Sequence, residues 1–156
     1  MKLQPFDVAC LPELMGWFPD RHATTVWGGP GFRFPFTEPS FSEDARIDSL
    51  PTRALHDDRG HFVGFGQFYE RAGRCHLGRL AIAPSMRGHG FGTQLVRALC
   101  VEGSQALGLD TFSLFVLPGN GRALRLYAKL GFVTTTYPEP SPLFVDCVYM
   151  VASRLP

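Results

Sequence analysis

At 156 residues, 45% hydrophobic, 13% aromatic and 19% charged, the chain has the length of one domain and enough apolar content for a core, which excludes a disordered polymer. A formal net charge of +1 excludes a large field of either sign that would recruit nucleic acid or an anionic membrane. No apolar run reaches the ~20 residues of a membrane span, and the opening MKLQPFDVACLPEL lacks the apolar region and cleavage site of a secretory signal; a single cytoplasmic domain over residues 1–156 is the expectation.

The first 50 residues are irregular. Asp7 is expected to cap a short helix reaching Met15, and a second short helix is expected over 40–49. Between them WFPDRHATTVWGGPGFRFPF, residues 17–36, holds two tryptophans and four phenylalanines on a chain bent by Pro and Gly. Such rings either line a binding site for an organic molecule or cover one end of a sheet. Asp20, Arg21 and Arg33 in this span are candidates for sensing substrate charge.

From Pro51 the pattern turns to strands. TRALHD (52–57), HFVGFGQFYE (61–70) and CHLGRLAIA (75–83) are separated by the turns Asp57-Asp58-Arg59-Gly60 and Arg71-Ala72-Gly73-Arg74, an antiparallel meander. A helix is expected over 90–107, its apolar positions Leu95, Ala98, Leu99 and Ala106 at helical spacing and Gly108 as its cap. DTFSLFVL (110–117) is a strand, 120–130 a helix stopped by Gly131, and FVTTTYP (132–138) and LFVDCVYMVA (143–152) are the closing strands. The order ααβββαβαββ predicts an α+β fold: a mixed, mostly antiparallel twisted sheet of six to seven strands with helices on both faces. The four cysteines, Cys10, Cys75, Cys100 and Cys147, show no CxxC spacing. They are expected to be small reduced hydrophobes, with no metal site.

Chemistry concentrates in two places. The first is LAIAPSMRGHGFGTQLV, residues 80–96, where Gly88, Gly90 and Gly92 stand at every second position between a strand and a helix. Glycines there let the backbone approach a ligand. The first N–H groups of a helix have no intrahelical partner and carry partial positive charge, so they form an anion site that Arg87 at the rim can reinforce. The reading is a pyrophosphate cradle; the alternative is a tight turn that binds nothing. A Walker loop is excluded because Thr93-Gln94 follows the last glycine where that loop has Lys-Ser/Thr. The dinucleotide fingerprint is excluded because the spacing is G-x-G-x-G and the acidic residue Asp110 begins, rather than ends, the next strand. The second place is NGRALRLYAKLGF, residues 120–132. It sets Asn120, Ala123, Leu124 and Tyr127 near one helical stripe beside the apolar pair Leu126 and Leu130. Taken alone, Tyr127 reads as a core tyrosine with its hydroxyl at the rim.

Together, with one strand between them, the two clusters resemble the GNAT superfamily of acyl-CoA-dependent N-acyltransferases. The motif Arg/Gln-x-x-Gly-x-Gly/Ala is matched by Arg87, Gly90 and Gly92. The later signature Asn-x-x-Ala-x-x-Leu-Tyr-x-x-x-Gly-Phe is matched by Asn120, Ala123, Leu126, Tyr127, Gly131 and Phe132. The likeness is tight over residues 77–132 and loose elsewhere. It implies acetyl-CoA as co-substrate, no metal, and an amine of a small molecule or peptide as acceptor. It also implies that the strand before the glycine turn splays from its neighbour, with backbone groups of Leu80, Ala81 and Ile82 pairing with pantetheine amides. N–H groups from Arg87 through Gly88, His89, Gly90, Phe91 and Gly92 to Thr93 would hold the pyrophosphate, Asn120 and Ala123 would flank the pantetheine, and Tyr127 would reach the thiol sulfur.

Direct attack by an amine meets a protonation problem. An alkylamine of pKa ~10.4 is only ~0.04% neutral at pH 7, a handicap of ~4.6 kcal/mol. A base, a water chain or a pKa-lowering pocket must answer it. Ribosomal-protein alanine acetyltransferases of the family carry a glutamate in the strand before the asparagine; here Phe115 stands at that place, which counts against their mechanism. Candidate bases are His76 on the strand before the glycine turn and Glu70 on the preceding one, with a histidine chemically favoured. Two other readings compete: a non-catalytic acyl-CoA-binding module, and an interaction domain whose glycine turn binds nothing. The antiparallel edge strands make a homodimer conceivable.

Overall fold

The computed structural model describes residues 1–139 and 146–155. Seven strands form one sheet: β1 (Lys2–Pro5), β2 (Thr52–His56), β3 (Phe62–Arg71), β4 (Arg74–Ile82), β5 (Phe112–Val116), β6 (Val133–Thr135) and β7 (Val148–Ala152), in the spatial order β1-β2-β3-β4-β5-β7-β6. Every neighbouring pair is antiparallel except β4 with β5. Five α-helices accompany them among the described residues: α1 (Leu11–Gly16), α2 (Arg21–Gly28), α3 (Glu38–Ala45), α4 (Phe91–Leu107) and α5 (Gly121–Lys129). This is the expected α+β architecture.

Two cores lie on opposite faces of the sheet. On one, α4 and α5 pack over Phe68, Cys75, Leu77, Phe112 and Leu114, with Leu95, Leu99 and Tyr127 supplied by the helices. Helix α4 comes so close that a Cβ at Gly103 would lie 2.5 Å from Cys75 Sγ; only glycine permits that approach. On the other face Leu14, Trp17, Phe18, Phe32 and Phe41 cover Phe65 and Ala54. The aromatic span of residues 17–36 therefore forms this second core. Trp27 stacks at 4.2 Å from Phe18 and 5.4 Å from Phe41.

Three features differ from the sequence expectation. The strand β1 and the helix α2 were not foreseen. Helix α3 begins at Glu38 and stops at Ala45 because Arg46 turns left-handed at φ 54, well short of residue 49. The capping by Asp7 stands as expected, its carboxylate accepting from Ala9 N–H at 2.9 Å, but it starts a 3-10 turn that leads into α1. Of the last expected strand, residues 143–145 lie outside the described ones. The four cysteines are free thiols. No described helix is long and apolar enough to cross a membrane.

Candidate active site

The decisive feature begins in β4. Pairing with β3 runs from Arg74 to Gly78, then slips: Gln67 opposes Gly78 but Phe65 opposes Ala81. Arg79 and Leu80 thus share one partner, Gly66, and Arg79 adopts φ 50. This is a β-bulge, which bends its strand. Three anchors hold it. Trp27 Nε1 donates to Arg79 O at 2.8 Å, Arg79 donates to Gln67 Oε1 at 3.1 Å, and it donates to Asp44 O at 2.9 Å. On the other side β4 pairs with β5 only over Cys75–Phe112, His76–Ser113 and Leu77–Leu114. Past Leu77 the two strands part. The sheet therefore opens into a wedge whose apex is Gly78 and whose one wall is Leu80, Ala81 and Ile82.

The wedge opens toward the glycine turn. Gly88 and Gly90 take φ 90 and 84, conformations that favour glycine. Gly90 is the N-cap of α4 and supplies no capping side chain. The first bond into the helix is Gln94 N–H to Gly90 O. Among the described residues no protein acceptor meets the N–H groups of Gly88 through Thr93, and Arg87 to Gly90 are exposed. A Cβ at Gly90 would meet no protein atom within 4 Å, so the space beside Gly90 is open. Arg87 Nε donates to Ile82 O at 3.1 Å, tying the turn to the end of β4. The Arg122 guanidinium lies 3.7 Å from where a Cβ of Gly88 would stand, a third source of positive charge beside Arg87 and the helix terminus. Arg122 was not singled out in the sequence; its place two residues after Asn120 was the available signal. Gly92 has a different function, close packing: its Cβ would come within 3.1 Å of Leu126 on α5.

The remaining candidates divide. Asn120 caps α5, accepting from Ala123 N–H at 3.2 Å through Oδ1, which leaves Nδ2 as a donor. Tyr127 is 8% exposed and packs edge-on against Phe132; burial raises its phenol pKa, and among the described residues its hydroxyl has no partner. His76 is 2% exposed. Its Nδ1 lies 2.9 Å from Ser113 Oγ across the β4–β5 pair, and burial, helped by Arg71, lowers its pKa to about 3. Glu70 is exposed at the far end of β3, where its carboxylate accepts from Gly73 N–H at 2.8 Å in the β3–β4 turn. His89 is exposed, with Nδ1 3.3 Å from Met86 O. The three charged residues of the aromatic span serve the scaffold. Asp20 caps α2, Arg21 donates to Phe34 O, and Arg33 pairs with Glu43 and Asp44.

A wedge beside a turn with a row of unpartnered N–H groups has the shape and the donors to receive a long, phosphorylated molecule. The model of the acetyltransferase (GNAT) family matches residues 18–132. The chain belongs to that family. It is accordingly an acetyl-CoA-dependent N-acetyltransferase. Solved structures of similar fold include a spermidine N-acetyltransferase from Vibrio cholerae in complex with CoA and spermine, 18% identical, TM-score 0.72, covering 96% of this chain and 93% of that one. The aminoglycoside acetyltransferase AAC(6')-Ib in complex with paromomycin and acetyl-CoA is 25% identical, TM-score 0.76, covering 98% and 93%. Its complex with coenzyme A and kanamycin gives 24%, 0.74, 98% and 94%.

Proposed function

We propose that this acetyltransferase binds acetyl-CoA along the wedge and acetylates an amine of a small molecule or peptide presented from the opposite face. The observation that carries the reading is the row of unpartnered N–H groups from Gly88 to Thr93 lying at the open end of a parted strand pair. Acetyl-CoA supplies the acetyl thioester. The row of N–H groups, with Arg87 and Arg122, holds the pyrophosphate; His89 and Phe91 flank it. Backbone groups of Leu80 and Ile82 take the place of the missing β5 ladder by bonding the pantetheine amides, whereas Ala81, expected to join them, turns its N–H and C=O to β3, where it pairs with Phe65. Asn120 offers Nδ2 to the same arm, and the small Ala123 leaves room for it.

Tyr127 serves the leaving group. A thiol of reference pKa ~8.5 is more acidic than a buried phenol, whose value lies above ~10. Full proton transfer from Tyr127 to the thiolate is therefore uphill, and the hydroxyl acts as a hydrogen-bond donor to sulfur. His76 serves the fold. Accepting a proton from an ammonium of pKa ~10.4 at a site of pKa about 3 would cost ~10 kcal/mol, so it is a strut between β4 and β5. Glu70 is assigned to the β3–β4 turn. Deprotonation of the amine falls to water at the open face. The free cysteines fit the reducing cytoplasm, the location that the reading carries.

The test is thermal unfolding with acetyl-CoA and with desulfo-CoA, followed by release of CoA in the presence of kanamycin, spermine and short peptides. Ligand at 100 times its Kd should add ~2.7 kcal/mol of stability. A saturable shift without turnover on any amine favours a binding module; no shift at all removes the acetyl-CoA reading.

A further inference from the structure

A second tyrosine stands at the apex of the wedge, on the face away from α4 and α5. Residues alternate along β3, so Tyr69 shares its face with Phe65, which packs beneath α1 and α3, and not with Phe68, which packs on α4. Its direct partner on β4 is His76, the ring centroids 5.3 Å apart. Its diagonal neighbour is Gly78, the first residue past the last β4–β5 pair. The ring leans onto that glycine. A Cβ at Gly78 would lie 3.1 Å from Tyr69 Cε1 and 3.4 Å from its hydroxyl oxygen, a contact that only glycine leaves unstrained. The ring is half-buried, and among the described residues the hydroxyl has no hydrogen-bond partner. Across the apex, Phe115 of β5 closes the other side, 5.1 Å from the His76 ring. Tyr69 thus brings an unengaged hydroxyl to the point where the strands close.

The geometry has a chemical consequence, which rests on the acetyl-CoA reading above. An arm entering at the glycine turn and running along Ile82, Ala81 and Leu80 covers ~13 Å of strand before Gly78. It can go no farther, because pairing resumes at Leu77. The acetyl group therefore ends beside Gly78. Helix α5 and Tyr127 occupy one face, which leaves the amine to approach from the face where Tyr69 stands.

We propose that Tyr69 is a further catalytic residue: its hydroxyl oxygen accepts a hydrogen bond from the acceptor N–H and aims the nitrogen lone pair at the acetyl carbon. The C–N bond forms as the C–S bond breaks, and the electron pair leaves on sulfur. The surplus amine proton passes to water, and the thiolate regains one from water; Tyr69 keeps its own proton throughout. Orientation of this kind is a recognised source of rate.

Two measurements test the assignment. With the whole protein and acetyl-CoA labelled with 13C at the methyl, nuclear Overhauser contacts from the acetyl methyl should reach the Tyr69 ring protons. Contacts that reach other rings and omit Tyr69 overturn the proposal. Failure of acetyl-CoA to bind is visible separately, as an absent saturable shift, and overturns the donor reading and this one with it. For Tyr69→Phe, acetylation of kanamycin or spermine should fall about tenfold in kcat, the effect of one lost hydrogen bond, with the acetyl-CoA Kd unchanged, while slow hydrolysis of acetyl-CoA is spared. An unchanged kcat overturns the proposal. An equal fall in hydrolysis does so too, since it would assign the hydroxyl to the carbonyl oxygen. If neither amine is turned over by the unmodified protein, the methyl contacts decide alone.

Discussion

The imidazole of His76 is held neutral between β3 and β5, and this has a measurable signature. Its folded pKa, about 3, lies below the ordinary ~6.5 of an unfolded chain. Between those values the unfolded state binds the extra proton, so stability is full above pH 6.5 and is lost as pH falls. From pH 6.5 to 4 the loss should be about 3 kcal/mol, read as a falling urea midpoint. His76→Gln should flatten that slope, at a uniform cost of ~1–3 kcal/mol for the disturbed buried bond to Ser113. Asp44, whose carboxyl is held low chiefly by its hydrogen bond to Arg33, and Asp57, held low by His61, begin to lose their contributions only from about pH 5 downward, so the slope between pH 6.5 and 5 is the part that reports His76. A slope that survives in His76→Gln would place the titration elsewhere. Tyr127 lends itself to a different separation. Tyr127→Phe keeps the ring against Phe132 and removes only the hydroxyl. A hydrogen bond to a charged sulfur is worth ~1.5–3 kcal/mol, so kcat should fall by about tenfold to a hundredfold while calorimetric CoA affinity stays constant. Parallel loss of both would make Tyr127 a packing residue.

At the scale of elements, the glycine turn was legible because its conformation is written in residue types. Glycines at 88 and 90 take positive φ, and a helix start without a side-chain cap announces free N–H groups. Gly90→Val should abolish CoA binding, since a β-branched residue resists φ 84 and its methyls would enter the open space beside this position. Far-ultraviolet circular dichroism should show α4 intact, and unchanged CoA affinity would sink the cradle. Other elements were illegible for physical reasons. Helix α2 carries Thr24, Thr25 and Val26 between Pro19 and Gly29, a poor helical composition; packing of Trp27 and the Asp20 cap override it, and Asp20 was the one local signal. Strand β1 is four residues at the sheet edge, defined by pairing with β2 some 50 positions away, which no local pattern encodes. Helix α3 ends at Arg46 in a left-handed turn that a glycine would have advertised and an arginine does not.

For the molecule as a whole, the wedge arises from an agreement between its two cores. Neither the Arg79 bulge nor the parting after Leu77 can be read from β4 alone, because each depends on partners from α2, α3, β3 and β5. The aromatic core was visible as a composition, yet its use was open between a binding wall and a cover. In the structure it holds the bulge, through Trp27 and its bond to Arg79 O. This coupling is testable. Phe41 is 0% exposed and meets Phe18, Trp27, Phe32 and Phe36 at ring distances of 5.0 to 6.2 Å. Phe41→Ala should cost ~3–5 kcal/mol and unseat Trp27. Leu99→Ala, in the opposite core at 0% exposure, should cost ~2–5 kcal/mol without touching that anchor. Amide hydrogen exchange separates them. At matched residual stability, Gly78 to Ile82 should exchange faster in Phe41→Ala than in Leu99→Ala, and the acetyl-CoA Kd should rise with it. Equal exchange in the two variants would mean that β3 alone holds the bulge and that the aromatic core does no more than cover the sheet.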